Sequence, residues 1–523
     1  MRAVRAPTAD EAQAGVAASS AIRGLARNAL WNAMGFGVVG VINVFLIAFA
    51  LRHVTVGEYG AFALASSATG LLTLIGFGLS MSVVRAVARE QTSVEQPVRD
   101  SARRDTATAH AAYVALGGLA MLASIVLVVL LPNFIRVVDS GKTVLADSLL
   151  LIGAANAVTI GTSALLGIVR GRRKFQLVAV ATIAGAGLNA FITVVTISRL
   201  GILALGFAAL GASVLTPLIL ALWIWRNVRW FRFRPIRPRW TDIRPVLGYA
   251  APLLAISVAS RVVTTTDALI LGVLTTTAVV ALYRVGAVVP NGLISLVFTG
   301  YDVAFPALAG STDARTQEDV SAFLTRVFGF LAGLVFSVVA LFRGDIVQVL
   351  MGRPSELAAT ILMLFCAIWV INTSVHGVSL LLIARARQKR FAGLVVAEAV
   401  ANLVLTVVLV LLIGPLGAVL ATLVTMAVSL WLVFPLLVQG ELRKGTMGTI
   451  FRQGIVASLA GASLAALIFL ATERLVGPSL HLPVAGAMTI VITTGVGLAL
   501  LRSSDGRLMR AAFARDARRE ALS

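Results

Sequence analysis

Two charged side chains interrupt a long apolar stretch and are the first candidates for chemistry. Residues 249–274 are long enough to cross a bilayer as a helix, yet they contain Arg261 and Asp267. An ionised side chain at that depth costs at least ~2.5–3.5 kcal/mol, so such residues are rarely kept without a function. Their spacing places them about 120° apart around a helix, so they need not pair with each other. We interpret Arg261 as facing a water-filled cavity in which it meets an anionic group; an ion pair buried between helices is the alternative.

Further titratable groups lie in or near apolar runs and are candidates for ion coupling. They are Asp302, Glu398 and His376, in addition to Asp267. A carboxylate in a dry site can exchange a proton or hold Na⁺ during transport. We therefore expect H⁺ or Na⁺ coupling at Asp267, Asp302 or Glu398. For Asp302 and Glu398 the alternative is pairing with arginines near the inner helix ends.

The sequence contains no pattern typical of a metal site or of a hydrolase. The chain has one cysteine, Cys366, and four histidines, with no CxxC or HExxH spacing. It has no ATP-binding P-loop and no Ser/His/Asp or paired-carboxylate set. We therefore expect a protein that is not an enzyme and that holds no resident cofactor or metal.

The composition indicates an integral membrane protein. Hydrophobic residues make up 59% of the 523 residues and charged residues 13%, compared with about 25% charged residues in a soluble domain. Apolar runs long enough to span a bilayer recur at about 29–51, 58–83, 108–131, 147–169, 175–198, 201–225, 246–272, 279–305, 323–342, 358–383, 391–413, 416–438, 454–471 and 483–501. The sequence predicts an all-α polytopic membrane protein with about 14 transmembrane helices.

The positions of Lys and Arg support these spans. With the N-terminus placed in the cytoplasm, 35 of the 44 Lys and Arg residues fall in inner segments and 7 in outer segments. Such a bias is the positive-inside signal of membrane proteins. It predicts a multi-pass protein of the cell membrane with both termini in the cytoplasm, and it explains most of the net charge of +21.

Aromatic residues alternate with Arg in residues 223–240, between the sixth and seventh spans. In a soluble protein this pattern would suggest nucleic-acid stacking. Between membrane spans it is typical of interfacial aromatics beside an anionic inner leaflet. We therefore expect contacts with membrane lipids, including anionic inner-leaflet lipids, and no nucleic acid.

The two halves of the chain show weak internal repetition. The basic loop ending at Phe175 is matched by the loop ending at Phe391, and Tyr59 is matched by Tyr283. Six spans per half give both halves the same orientation, related by an axis along the membrane normal. We expect two pseudo-symmetric six-helix lobes around a central cavity, followed by two extra helices. The predicted segments are a cytoplasmic N-terminal segment (1–27), an N-lobe (28–225), a cytoplasmic basic linker (226–245), a C-lobe (246–439), the last two helices (440–501) and a cytoplasmic amphipathic tail (502–523).

Three stretches in this order resemble a known family. They are HVTVGEYGAFAL followed by GFGLSMSVVR (residues 53–64 and 76–85), the Asp267–Gly272 segment followed by Tyr283, and the basic loop before Phe391. Together with the predicted spans, they resemble the polysaccharide-exporter branch of the multidrug/oligosaccharidyl-lipid/polysaccharide (MOP) flippase superfamily, which includes O-antigen flippases.

The resemblance implies a polyprenyl-diphosphate-linked oligosaccharide carried from the cytoplasmic to the outer leaflet by alternating access, for cell-surface polysaccharide biosynthesis. Arg suits a diphosphate because its guanidinium group forms two parallel charge-assisted hydrogen bonds. The substrate-binding candidates are then Arg261, with Arg284 and Arg52 after the flip and Arg85 before it. For Arg52 and Arg85 the alternative is ordinary snorkelling at a helix end. A polysaccharide polymerase and glycosyltransferases are the expected protein partners.

Three other functions remain open from the sequence. A peptidoglycan-precursor flippase of the same superfamily would use similar cavity charges. A cation-coupled multidrug exporter would need acidic cavity residues, which Arg261 argues against. A membrane-embedded glycosyltransferase or polymerase would need a catalytic acidic cluster and a large outer loop, and the sequence has neither.

Overall fold

A computed structural model gives the structure of this chain. It describes residues 31, 34–35, 37–73, 77–135, 141–233, 258–259, 262–263, 265–310, 313–385, 388–443, 445–476 and 478–502. The predicted N-terminal segment, residues 234–245 of the predicted linker, almost all of the predicted tail, and Arg261 lie outside these residues.

The described part of the chain is almost entirely helical and contains no strand, which confirms the predicted all-α class. The first helices are α1 (Gly37–Leu51), α2 (Val56–Leu72), α3 (Phe77–Thr92), α4 (Gln96–Phe134), α5 (Gly141–Gly171), α6 (Phe175–Leu200) and α7 (Leu203–Asn227). The next are α8 (Thr265–Leu274), α9 (Thr277–Gly310), α10 (Ala314–Leu341), α11 (Arg343–Met351), α12 (Glu356–Ala384) and α13 (Gln388–Ile413). The last are α14 (Leu416–Ala427), a π-helix (Val428–Val433), α15 (Phe434–Val438), a short 3₁₀ turn (Gln439–Glu441), α16 (Thr446–Leu475) and α17 (Pro478–Arg502).

Each of the fourteen predicted apolar runs contains a helix. Within the described residues, 10 helices are long and apolar enough to cross a membrane. Helices α1, α8 and the apolar part of α17 (Leu480–Val496) are shorter. The second predicted run is divided between α2 and α3, and the twelfth between α14, the π-helix and α15. The structure therefore supports a polytopic membrane protein, while the number 14 stays a prediction.

The helices pack in two groups that correspond to the predicted lobes. In the N-lobe, α5 packs against α2, α3, α4 and α7, and α6 packs against α7. In the C-lobe, α12 packs against α9, α10 and α14, and α13 packs against α14. Helix α16 lies along α10, where a Cβ atom at Gly333 would overlap the backbone of Ser458. Small residues at such a seam let helix backbones approach closely, which is a main source of helix association in a bilayer.

In each lobe, a buried glutamate at the predicted cytoplasmic end forms ion pairs with arginines. In the N-lobe, Glu90 of α3 is 3% exposed and forms ion pairs with Arg103 and Arg172, both at 3.1 Å, and with Arg99 at 3.8 Å. Arg172 follows the end of α5, which is the fourth predicted span of that lobe.

The C-lobe repeats this arrangement with different helices. Glu318 of α10 is 2% exposed and pairs with Arg443 at 2.7 Å and with Arg385 at 3.2 Å. Arg385 directly follows α12, the fourth predicted span of the second lobe. The matched basic loops that the sequence analysis identified thus contribute one arginine each to a buried glutamate.

The two lobes contact each other at the predicted outer end. Helix α2 packs against the start of α9, and a Cβ atom at Gly60 would overlap the carbonyl group of Thr277. Nearby, the Arg52 Nη2 atom donates a hydrogen bond to the Val349 carbonyl oxygen of α11 at 3.3 Å. Backbone contact this close requires glycine, so Gly60 permits the lobes to meet here.

Candidate functional site

A cavity of about 410 Å³ lies between the lobes, with α1 and α2 on one side and α9 on the other. It is lined by Val39, Gly40, Asn43, Val44, Ile47, Tyr59, Arg284, Ala287, Val288, Asn291, Gly292 and Ser295. The lining residues that the structure describes contain one cationic side chain, no carboxylate, and amide and hydroxyl groups. An apolar cavity with a few converging polar groups is the usual form of a small-molecule site.

Arg284 is the charged group of this cavity. It lies on α9, one residue after the buried Tyr283, and is partly exposed. Among the residues that the structure describes, no carboxylate forms an ion pair with its guanidinium group. A guanidinium group facing a cavity without a counter-ion is suited to an anionic ligand, because it offers five N–H donors in a planar arrangement.

The other predicted arginines are placed differently. Arg52 is exposed just after α1 and contacts the C-lobe through Val349, and it does not line the cavity. Arg85 is exposed on α3 and is likewise absent from the cavity wall. Arg261 lies outside the described residues, so its predicted position in a cavity stays a prediction.

Asp267 lies in a second polar site, inside the C-lobe and 1% exposed. Its Oδ2 atom accepts hydrogen bonds from the Tyr283 hydroxyl at 2.6 Å and from Thr422 Oγ1 at 3.0 Å. Its Oδ1 atom accepts one from Thr406 Oγ1 at 3.2 Å. Helices α8, α9, α13 and α14 each contribute a residue, so this carboxyl group joins four helices. The three donated hydrogen bonds satisfy acceptor positions on both oxygen atoms of this buried carboxyl group.

Asn402 extends the Asp267 site by one more residue. Its Nδ2 atom donates to Thr422 Oγ1 at 3.0 Å and to Thr425 Oγ1 at 3.3 Å. Its Oδ1 atom is buried and has no hydrogen-bond partner within the described structure. A buried acceptor without a donor is costly unless another group occupies the position beside it. The acceptor atoms of this site are oxygens, of the type that hard cations prefer.

The remaining titratable candidates do not join either site. The side chain of Asp302, on α9, lies outside the described part. Glu398 on α13 is buried at 8% exposure and forms no ion pair with any described residue. The ring of His376 stacks on Phe298 with centroids 4.7 Å apart and meets Tyr301 edge-on at 4.6 Å.

Sequence reasoning missed most of the uncharged members of both sites. It identified Tyr59 and Tyr283 only as motif residues and did not select Asn291 as a member of either site. It did not select Asn402 and Thr406, although their i, i+4 spacing places them on one face of α13. Small polar residues are frequent in membrane helices, so they become informative only when the packing shows which helices meet.

Comparisons with known proteins agree with this architecture. Residues 25–312 match the family model described as polysaccharide biosynthesis protein. The fold is similar to that of the lipid II flippase MurJ in an inward closed conformation, with a TM-score of 0.62 and 13% identity over 89% of this chain and 98% of that chain. A search of curated proteins finds no match.

Other transporters have a similar fold with lower TM-scores. A Vibrio cholerae MATE transporter is similar with a TM-score of 0.57 and 15% identity over 83% of this chain and 100% of that one. A MOP superfamily transporter from Pyrococcus furiosus, whose binding pocket is described as reversed in polarity, is similar with a TM-score of 0.53. The identity is 15% over 85% of this chain and 95% of that chain. The family match covers more than half of the sequence, and the predicted superfamily is confirmed. The chain belongs to the polysaccharide biosynthesis protein family and has the fold of the MOP flippase superfamily.

Proposed function

We propose that this protein translocates a polyprenyl-diphosphate-linked oligosaccharide from the cytoplasmic to the outer leaflet by alternating access, for cell-surface polysaccharide biosynthesis. The proposal depends on one observation: Arg284 faces a cavity between the two lobes, and its guanidinium group forms no ion pair with any described residue. A diphosphate cannot cross ~30 Å of hydrocarbon unaided, so it needs a polar site that replaces its hydration. The family match and the MurJ-like fold support the same class of function.

The charge of the cavity argues against one of the alternative functions and is neutral toward the other. A cation-coupled multidrug exporter needs acidic groups for cationic drugs, and the described residues that line the cavity include no carboxylate. A peptidoglycan-precursor flippase would present the same diphosphate to Arg284, so the cavity charge does not distinguish the two lipids. Their sugars and peptides differ, and transport of each lipid has to be compared directly.

We further propose that the Asp267 site holds the coupling cation, Na⁺ or H⁺. Asp267 and four uncharged side chains supply oxygen atoms there, and the Asn402 Oδ1 atom has no donor in the described structure. Glu398, buried on α13, remains a second coupling candidate, as does Asp302. The protein is expected in the cell membrane with both termini in the cytoplasm, beside the polymerase and glycosyltransferases that use the same lipid.

Arg284→Ala tests the transport proposal. In proteoliposomes containing a fluorescent polyprenyl-diphosphate-oligosaccharide, we expect the initial flipping rate to fall at least about 10-fold, because hydrogen bonds to charged groups contribute ~1.5–3 kcal/mol each. Arg284→Lys should recover part of the rate, since an ammonium group keeps the charge but loses the planar donors.

Arg199→Ala is the matched control, because Arg199 is an exposed arginine near the end of α6 and does not line the cavity. It should flip the lipid at the wild-type rate. An Arg284→Ala protein that flips as fast as the wild type would remove Arg284 from the site. Faster flipping of a lipid with a stem pentapeptide would favour the peptidoglycan alternative, and dye efflux without lipid flipping would favour the exporter.

A further inference from the structure

The α9 wall of the cavity presents a second hydrogen-bond donor, Asn291, at a fixed distance from Arg284. Arg284 and Asn291 are seven residues apart on α9, which places them on one face about 10 Å apart along the axis. Both residues line the cavity. The Cα–Cβ bonds of a helix tilt toward its N-terminus, so the Arg284 side chain starts out directed away from Asn291.

The orientation of the Asn291 amide is set by Trp369. The Trp369 Nε1 atom lies 2.9 Å from the Asn291 Oδ1 atom. An indole N–H can only donate, so the amide oxygen has to face Trp369. The NH₂ group is therefore left for the cavity, and no acceptor in the described structure takes its hydrogens. Asn291 then presents N–H donors to a ligand in the cavity.

Trp369 is itself held in place by its surroundings. It lies on α12, is 7% exposed, and meets Phe298 of α9 edge-on with ring centroids 6.1 Å apart. A buried indole ring in such contact has little freedom to turn. The hydrogen bond to Asn291 is thus built into the packing of α9 against α12.

We propose that Asn291 binds an oxygen atom of the sugar next to the diphosphate, and that Trp369 is the positioning residue that keeps the Asn291 N–H groups directed at it. The inference rests on the proposed function and adds to it how the cavity recognises the sugar. Arg284 binds the diphosphate, and the separation of about two helix turns places Asn291 beyond the reach of that group. The cavity would then discriminate a lipid that carries a sugar from the bare polyprenyl diphosphate.

The test measures binding of two probes to the full-length protein in nanodiscs. One probe is polyprenyl diphosphate, and the other is the same lipid carrying one N-acetylhexosamine. We expect Asn291→Ala to weaken binding of the sugar-bearing lipid about 10-fold, as for the loss of one well-placed hydrogen bond, and to change binding of polyprenyl diphosphate less than about 2-fold. Arg284→Ala should weaken binding of both.

Trp369→Phe tests the positioning role. It keeps an aromatic ring against Phe298 and removes the N–H, so binding of the sugar-bearing lipid should weaken several-fold. In the Asn291→Ala background the same change should have no further effect, because the two residues act through one hydrogen bond. The matched control is Trp431→Phe, whose Nε1 atom donates to Ser374 Oγ at 3.0 Å away from the cavity lining.

Three results would overturn the inference. The first is an equal loss of binding of both probes in Asn291→Ala, which would indicate a purely structural role. The second is a loss of binding in Trp369→Phe that adds fully to that of Asn291→Ala, and the third is unchanged binding of both probes in Asn291→Ala. If the wild-type protein binds neither lipid, the proposed function itself fails. If it binds both and Asn291→Ala changes neither, only the assignment of Asn291 fails.

Discussion

Asp267 and Arg284 are charged residues in apolar spans, but their surroundings differ. Asp267 receives hydrogen bonds from three side chains inside one lobe, whereas Arg284 faces the cavity between the lobes. Asp267 was predicted as a candidate because a charge in an apolar run is costly, and Arg284 because the family resemblance implies a diphosphate, which suits arginine. Their partners could not be predicted, because the sequence does not show which faces of distant helices meet.

Asp267→Asn should uncouple transport from its cation. The variant keeps the shape of the side chain but removes the negative charge, so we expect flipping to slow about 10-fold and to lose its response to a Na⁺ or H⁺ gradient. The measurement is the flipping rate in proteoliposomes with and without each gradient. Asp345→Asn is the control, because Asp345 is exposed in the first turn of α11. A gradient response equal to that of the wild type would exclude Asp267 as the coupling residue.

At the scale of single helices, hydropathy predicted the positions of the spans. The structure added the helix boundaries and showed which helices pack against each other. A helix lies at each predicted apolar run, because a backbone in hydrocarbon must form its hydrogen bonds within the segment. The short α11 and the π-helix within the twelfth run were not predicted. The last two helices were predicted to lie outside the six-helix repeat, and the structure shows that one of them, α16, packs tightly against α10 of the C-lobe. The Gly329-x-x-x-Gly333 pattern at that seam is visible in the sequence and could have indicated it.

Gly333→Val should weaken the α10–α16 seam. Its side chain would overlap the Ser458 backbone, and overpacking of this kind costs about 1–3 kcal/mol. We expect a lower thermal unfolding temperature of the detergent-solubilised protein. Gly393→Val on α13 is the control, since a Cβ atom there meets nothing within 4 Å. Unfolding of both variants at the same temperature would contradict a tight seam.

For the whole molecule, the repeat in the sequence predicted the two lobes but not how they meet. The contact at Gly60 depends on backbone proximity between α2 and α9, for which a single glycine in a glycine-rich chain gives no specific signal. The matched basic loops proved more informative, because Arg172 and Arg385 occupy equivalent places in the two lobes.

Gly60→Val should prevent the lobes from meeting at the predicted outer end. In a Cys366→Ala background, spin labels at Lys142→Cys and Arg353→Cys would report the distance between the lobes, since both positions are exposed. We expect a longer mean distance in Gly60→Val than in the wild type, because the added side chain overlaps Thr277. Gly70→Val, on the same helix with nothing within 4 Å of its Cβ position, should leave the distance unchanged. Identical distance distributions in all three proteins would show that Gly60 does not control this contact.

The buried glutamates have a consequence for the energetics of opening. Three arginines pair with Glu90 and two with Glu318, and in the predicted inner segments of each lobe Lys and Arg residues outnumber Asp and Glu residues, so both lobes carry net positive charge at the same predicted end. Like charges on separate bodies repel, and salt weakens this repulsion over a Debye length of about 8 Å at physiological ionic strength. Electrostatic repulsion therefore favours separation of the lobes at that end, and an anionic head group arriving between them would relieve it.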